Sequence, residues 1–200
     1  MNAQPHASLA ESFWPVAGAS RTTALLRFAA ISVAGALALT LSAKAQVPFY
    51  PVPLTLQTLV VLVLGAALGA RLAASATMLY LLEGAAGLPV FAGTPEKGLG
   101  LAYMMGPTGG FLAGFVLAAV FIGWCADRGL DRSAWKLTAV LFAGHALIFV
   151  LGFAWLAQFY GVEKAWVLGV APFYLATVEK TLLAAAIVGG SWKLIERLRG

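Results

Sequence analysis

Glu179 and Lys180 lie side by side in the last apolar run of the chain, residues 167–190. In water such a pair is ordinary. At bilayer depth a lysine costs roughly 2.5 to 3.5 kcal/mol on insertion scales, so its presence there marks a candidate site for an anionic ligand. On a helix Thr177, Lys180 and Ala184 share one face, whereas Glu179 points about 100° away from Lys180. The structural alternative is that the two charges bind different helices, or that Glu179 meets cytoplasmic water while Lys180 snorkels.

Three further polar residues stand out against apolar surroundings. Gln57 carries an amide donor and acceptor suited to a polar heterocycle, or equally to an interhelical hydrogen bond. Tyr80 and Glu83 are one turn apart; Tyr80 could close over a ligand or sit in an interfacial aromatic belt. His145 has no companion histidine at metal-ligand spacing, which favours a hydrogen-bonded interior residue over a metal ligand. Ala30, Ala34 and Ala38 recur every fourth residue and would form a flat face on which a second membrane protein could dock.

Enzymatic constellations are missing. The sequence has no His-Glu-x-x-His, no Gly-x-Ser-x-Gly and no pair of intramembrane aspartates. Gly106-Pro107-Thr108-Gly109-Gly110 lacks the Gly-Lys-Ser/Thr ending of a phosphate loop, so the chain carries no ATP site of its own. The single cysteine, Cys125, excludes an internal disulfide and a cysteine metal cage.

These residues must be held by membrane helices. With 61% hydrophobic and 10% charged residues and a mean hydropathy of +0.89, the chain is far more apolar than a soluble domain. Long Leu-, Ala- and Val-rich runs select helices over a barrel, since each run satisfies its own backbone hydrogen bonds. The net charge of +5 has no basic-aromatic face to suit nucleic acid and fits membrane orientation better.

In chain order, residues 1–20 form a mixed polar tail expected to be mobile, and residues 21–200 the membrane domain. A first span covers about 24–41. Ala43-Lys44-Ala45 after it resembles a signal-peptide cleavage site, but the long preceding region and the further spans argue against cleavage. Three prolines stiffen the loop at 48–53. Residues 54–88 as one helix would reach about 52 Å against a core of roughly 30 Å, so this run must fold back. Gly65, Gly69 and Arg71 mark the turn, giving spans at 54–69 and 72–83. Residues 84–110, with eight glycines and three prolines, form a long loop. Three more spans follow at about 108–125, 135–159 and 167–192.

The expected fold is an all-α bundle of six transmembrane helices. Nine of thirteen basic residues fall on the side of the termini and three opposite, with Lys180 inside, which puts both ends in the cytoplasm and the elaborate loops outside.

On four ordered segments the chain resembles the BioY family, the biotin-specific substrate-binding (S) components of energy-coupling factor (ECF) transporters. They are Pro51-Val52-Pro53-Leu54-Thr55-Leu56-Gln57-Thr58, Tyr80-Leu81-Leu82-Glu83-Gly84-Ala85-Ala86-Gly87-Leu88-Pro89-Val90-Phe91, Gly106-Pro107-Thr108-Gly109-Gly110-Phe111-Leu112-Ala113-Gly114-Phe115, and the segment from Pro172-Phe173 to Lys180. The likeness covers roughly residues 47–186.

The resemblance implies a six-helix protein of the bacterial inner membrane that binds biotin from outside, under a lid from the first outer loop. It also implies a transmembrane coupling subunit and two cytoplasmic ATPase subunits as partners, and no cofactor beyond the biotin carried. Lys180 is expected to pair with the valerate carboxylate or another polar end of the ligand, with Gln57 and Thr177 serving the ureido group. Phe49, Tyr50, Tyr80 and Phe91 would pack the ring and chain. The family motif has an aspartate three residues before the lysine, where this chain has Thr177; either Thr177 supplies a neutral hydrogen bond there or Glu179 acts from its own position. Other readings are an S component for another vitamin, or a self-sufficient transporter using Glu179 as a proton site.

Overall fold

In the computed structural model, residues 7–15, 18–47 and 50–199 are described. Among them five helical segments are long and apolar enough to cross a membrane: Arg21–Lys44, Gln57–Ala85, Gly109–Ala126, Ala134–Tyr160 and Val162–Leu198. The chain is an all-helical, multi-pass membrane protein. In order, the helices are α1 (Leu9–Phe13), α2 (Arg21–Lys44), α3 (Gln57–Ala85), α4 (Gly100–Met104), α5 (Gly109–Ala126), α6 (Ala134–Tyr160), α7 (Val162–Gly169) and α8 (Tyr174–Arg199).

The second apolar segment folds back on itself, as its length requires. Gly69 leaves helical geometry at φ 76°, ψ 171°, a region essentially reserved for glycine. A straight helix would separate Gln57 from Tyr80 by about 34 Å, yet Gln57 Nε2 lies 2.7 Å from the Tyr80 hydroxyl. Residues 57–68 and 70–85 therefore run side by side in opposite directions. Asp127, at the end of α5, accepts a hydrogen bond from Ala70 N at 3.1 Å and fixes the bend.

Helix α5 is the central pillar, packed against α3 and α6. Its glycines permit this closeness. A Cβ on Gly114 would stand 2.8 Å from the Ile148 Cα of α6, and one on Gly123 would meet the backbone of Gly69 and Ala70. Helix α2 is held to the second leg of α3 by Ser32, whose hydroxyl donates to Ser75 at 2.9 Å. Large aliphatic residues such as Leu37, Val150, Leu182 and Leu194 remain exposed on the outside of the bundle, where lipid rather than water would meet them.

Three features add detail to the expected arrangement. The last apolar segment, Val162–Leu198, is not one continuous helix from residue 167: α7 ends at Gly169, a 3-10 turn, Ala171–Phe173, follows, and α8 starts at Tyr174. Pro172, without an amide hydrogen, fits this turn and not a continuous helix. A short β-pair joins Gln46–Val47 to Leu54–Thr55, antiparallel, across the proline-rich loop. Within the N-terminal region, α1 is closed by a capping box between Ser8 and Glu11. The carbonyls of Ala10 and Ala7 accept bonds from Arg27 and Arg132, drawing this segment onto the bundle end.

Candidate functional site

At the end opposite the termini, the first turns of α3, α5 and α8 converge with the middle of α6 around a cavity of about 600 Å³, its mouth included. Its roof is Val52 and Pro53 of the first interhelical loop, with Ala92 and Tyr103 from the second. Its walls are mainly aromatic: Phe111 and Phe115 stand four residues apart on one face of α5, facing Phe149 of α6 and Phe173 before α8. Thr55, Gln57, Thr58, Thr108, Thr177 and Lys180 supply the polar groups. Carboxylates are absent from this lining.

The polar groups form one hydrogen-bonded chain. Lys180 Nζ donates to the Thr55 carbonyl at 2.7 Å. The Thr55 hydroxyl donates to Gln57 Oε1 at 3.3 Å, and Gln57 Nε2 donates to the Tyr80 hydroxyl. Tyr80 in turn donates to the Val90 carbonyl at 3.4 Å. An ammonium has three donors and an amide four sites. Among the described residues the lysine uses one donor on the protein, leaving two for a ligand.

Sequence-predicted residues divide into three groups. Lys180, Thr177 and Gln57 come together on the lining. Tyr80 and Phe91 stand behind it: Tyr80 is fully buried, and Phe91 meets its ring edge-on at 5.4 Å and stacks on Tyr103 at 4.8 Å. Gly84 makes room for the Phe91 ring, because a Cβ there would overlap it. Glu179 is exposed on the far side of α8, and Tyr50 is exposed too, so neither touches the cavity. Phe49 lies outside the described residues. Ala30 and Ala34 are exposed and Ala38 half-buried on the outer side of α2, whose inner side is taken by Gly35, Ala36 and Leu39.

His145 is buried beside the site. Its Nδ1 is 2.6 Å from the Thr181 hydroxyl, which itself donates to the Thr177 carbonyl at 2.8 Å. The ring nitrogen is therefore the donor in that contact. This bond ties α6 to α8 one residue beyond Lys180.

The aromatic lining is not legible in the sequence. Phenylalanines abound in the chain, and nothing in their spacing separates a cavity wall from a lipid-facing side. Thr55 could have been singled out, two residues before Gln57. Tyr103 is held by a bond from its hydroxyl to the Ala92 carbonyl at 2.8 Å. Burial raises its pKa above the ordinary tyrosine value, with a lesser opposing effect from Thr108, so it stays neutral.

A model of the BioY family matches residues 15–197. A probable biotin transporter BioY of Pyrococcus horikoshii is 38% identical over 158 residues, covering 79% of this chain and 87% of that protein. The biotin transporter BioY of Thermotoga maritima is 39% identical over 144 residues, covering 71% and 82%. The fold is that of a crystal structure of the S-component for biotin from an ECF-type ABC transporter, with TM-score 0.75, 20% sequence identity, and coverage of 88% of this chain and 95% of that one. The family model spans both the polar chain around Lys180 and the helices that hold it, and on these matches the chain belongs to the BioY family.

Proposed function

We propose that this chain captures biotin as the S component of an ECF-type transporter, a transport component and not an enzyme. The observation that carries the reading is the meeting of the Lys180 ammonium, the Gln57 amide and the Thr177 hydroxyl group in one aromatic-walled cavity. Biotin combines a flat polar ureido ring, an apolar thioether ring and an anionic valerate chain. Lys180 would pair with the carboxylate, Gln57 and Thr177 would serve ureido donors and acceptors, and the phenylalanines would pack the rings and methylenes. Tyr80 and Phe91 would act by holding Gln57 and Tyr103 in place. Phe49 and Tyr50 would belong to the loop that covers the entrance.

The two legs of α3 would count as separate crossings, giving six spans, with both termini in the cytoplasm of a bacterial inner membrane. The excess of basic residues on the terminal side supports that orientation. Residues 21–200 would form the binding domain, preceded by the tail at 1–20. Energy would come from a transmembrane coupling subunit, docked on the Ala30, Ala34 and Ala38 face, and its cytoplasmic ATPase subunits. The absence of a carboxylate from the lining speaks against Glu179 as a proton site for autonomous transport.

Titration of purified protein with biotin tests the reading. Lys180→Ala should leave the helical content intact and weaken binding roughly 10- to 100-fold, the scale of a charge-assisted hydrogen bond. Unchanged affinity in that variant overturns the assignment of Lys180, and no binding of biotin by the native chain overturns the function.

A further inference from the structure

A second, larger hollow of about 1330 Å³, its open mouth included, lies at the opposite end of the bundle, between α1, the first turns of α2 and the bend of α3. Arg21, Arg27 and Arg71 line it, with Glu11 and Asp127. Both carboxylates are already engaged by backbone amides: Glu11 accepts from Ser8 N and Asp127 from Ala70 N, each at 3.1 Å. Among the described residues the only ion pair within 4.0 Å is between Arg132 and Asp131, so none of the three arginines facing the hollow has a carboxylate partner.

Arg27 is the most buried of the three. Only 6% of it reaches solvent, and its Nε has no hydrogen-bond partner. One Nη donates to the Ala10 carbonyl at 2.9 Å, and the guanidinium lies 5.9 Å from the Trp14 ring. Among the described residues this buried cation has a carbonyl and a ring as partners and no carboxylate within 4.0 Å, an environment that favours an added anion. Beside the arginines the lining turns apolar, with Leu25, Phe28 and Leu72. A free inorganic anion would gain nothing from that surface; a phosphate that carries acyl chains would.

We propose that this hollow binds the phosphate of an anionic phospholipid, with Arg27 and Arg71 on the headgroup and the apolar residues against the start of its chains. The hollow lies at the start of α2 and the bend of α3, where two apolar segments reach one end of the bundle and a lipid headgroup would meet them. Arginine suits it because its planar fork matches phosphate oxygens bidentately. Bound there, the lipid would close the gap between α1, α2 and the bend at Gly69.

The test is native mass spectrometry of the full chain, delipidated in neutral detergent and offered phosphatidylglycerol or phosphatidylcholine with identical acyl chains. One phosphatidylglycerol should be retained in preference to phosphatidylcholine. Its affinity should fall roughly tenfold in Arg27→Gln and in Arg71→Gln, and should be unchanged in Arg128→Gln, outside the hollow. Arg71 is exposed, so its variant folds even if Arg27→Gln does not. Equal retention of the two lipids, or undiminished phosphatidylglycerol binding by Arg71→Gln, overturns the proposal. Inorganic phosphate that binds in the same place while phosphatidylglycerol shows no preference over phosphatidylcholine overturns the lipid and leaves a free anion as occupant.

Discussion

The two hollows at opposite ends of the bundle treat positive charge differently. In the aromatic cavity a single cation, Lys180, leans on the carbonyl of Thr55, and the polar groups behind it are joined down to Val90. In the terminal hollow two exposed arginines, Arg21 and Arg71, and the buried Arg27 have no acidic partner among the described residues, and the acids near them are bonded to amides instead. On the proposed function the first is a prearranged receptor, nearly satisfied within the protein, that a small ligand would complete with a few contacts. The second is an unsatisfied rim that gains by covering its charge. Both depend on the same hairpin, because Gln57 and Tyr80 close its open end while Gly69 and Ala70 form its bend at the other.

Disturbing that bend should have the largest effect on both regions. Gly69→Ala would place a side chain in a conformation reserved for glycine, and its Cβ would strike the Asp127 carboxylate that anchors Ala70. Backbone strain of about 1 to 3 kcal/mol, together with a lost hydrogen bond of about 1 kcal/mol, predicts a marked drop in thermal stability. Biotin binding should fall with it, since the Gln57–Tyr80 contact exists only while the two legs are antiparallel. A variant with native melting behaviour and native affinity would separate the two hollows and end the claim that one bend serves both.

Breaking the polar chain at its far end tests the cavity alone. Tyr80→Phe keeps the ring and its contact with Phe91 but removes the hydroxyl that accepts from Gln57 and donates to Val90. Leaving these buried groups without a partner should cost about 1 to 3 kcal/mol in stability. The freed Gln57 amide should also weaken biotin binding, although Tyr80 never touches the cavity, while phosphatidylglycerol retention at the other end stays native. Loss of lipid together with biotin would mean that the two ends are not independent.

How much of this arrangement the sequence discloses depends on contrast. Lys180, Thr177 and Gln57 are visible because polar groups are costly in an apolar run, and the fold-back of 57–85 because the run is too long for a bilayer. Gly69 is marked by composition, although its neighbours Gly65 and Arg71 were equally eligible; what distinguishes it is the carboxylate of Asp127, 58 residues away along the chain. The break before α8 is masked because residues 167–171 are as apolar as the helix that follows, and only Pro172 signals the turn. The aromatic walls were illegible for the converse reason: Phe111, Phe115, Phe149 and Phe173 are apolar among apolar neighbours, and only tertiary packing decides which side of each helix meets the cavity. In sequence the arginines of the terminal hollow are orientation signals and nothing more, since their lack of acidic partners among the described residues is visible only in three dimensions.

The smallest expected effect concerns the position where the family motif has an aspartate. Thr177 lines the cavity one turn before Lys180, whereas Glu179 is exposed on the other side of α8. If the chain meets the ligand there with a neutral hydrogen bond, Thr177→Val should lower biotin affinity by about 1 kcal/mol, roughly fivefold, because the substitution preserves shape and removes one hydrogen bond. Glu179→Gln should leave the affinity unchanged. Comparing the two variants by titration at neutral pH decides between them. The opposite pattern, with Glu179→Gln impaired and Thr177→Val native, would require α8 to turn by about 100° on binding. Such a rotation would break the bond between His145 and Thr181, and with it the prearranged character that sets this cavity apart from the arginine-lined one.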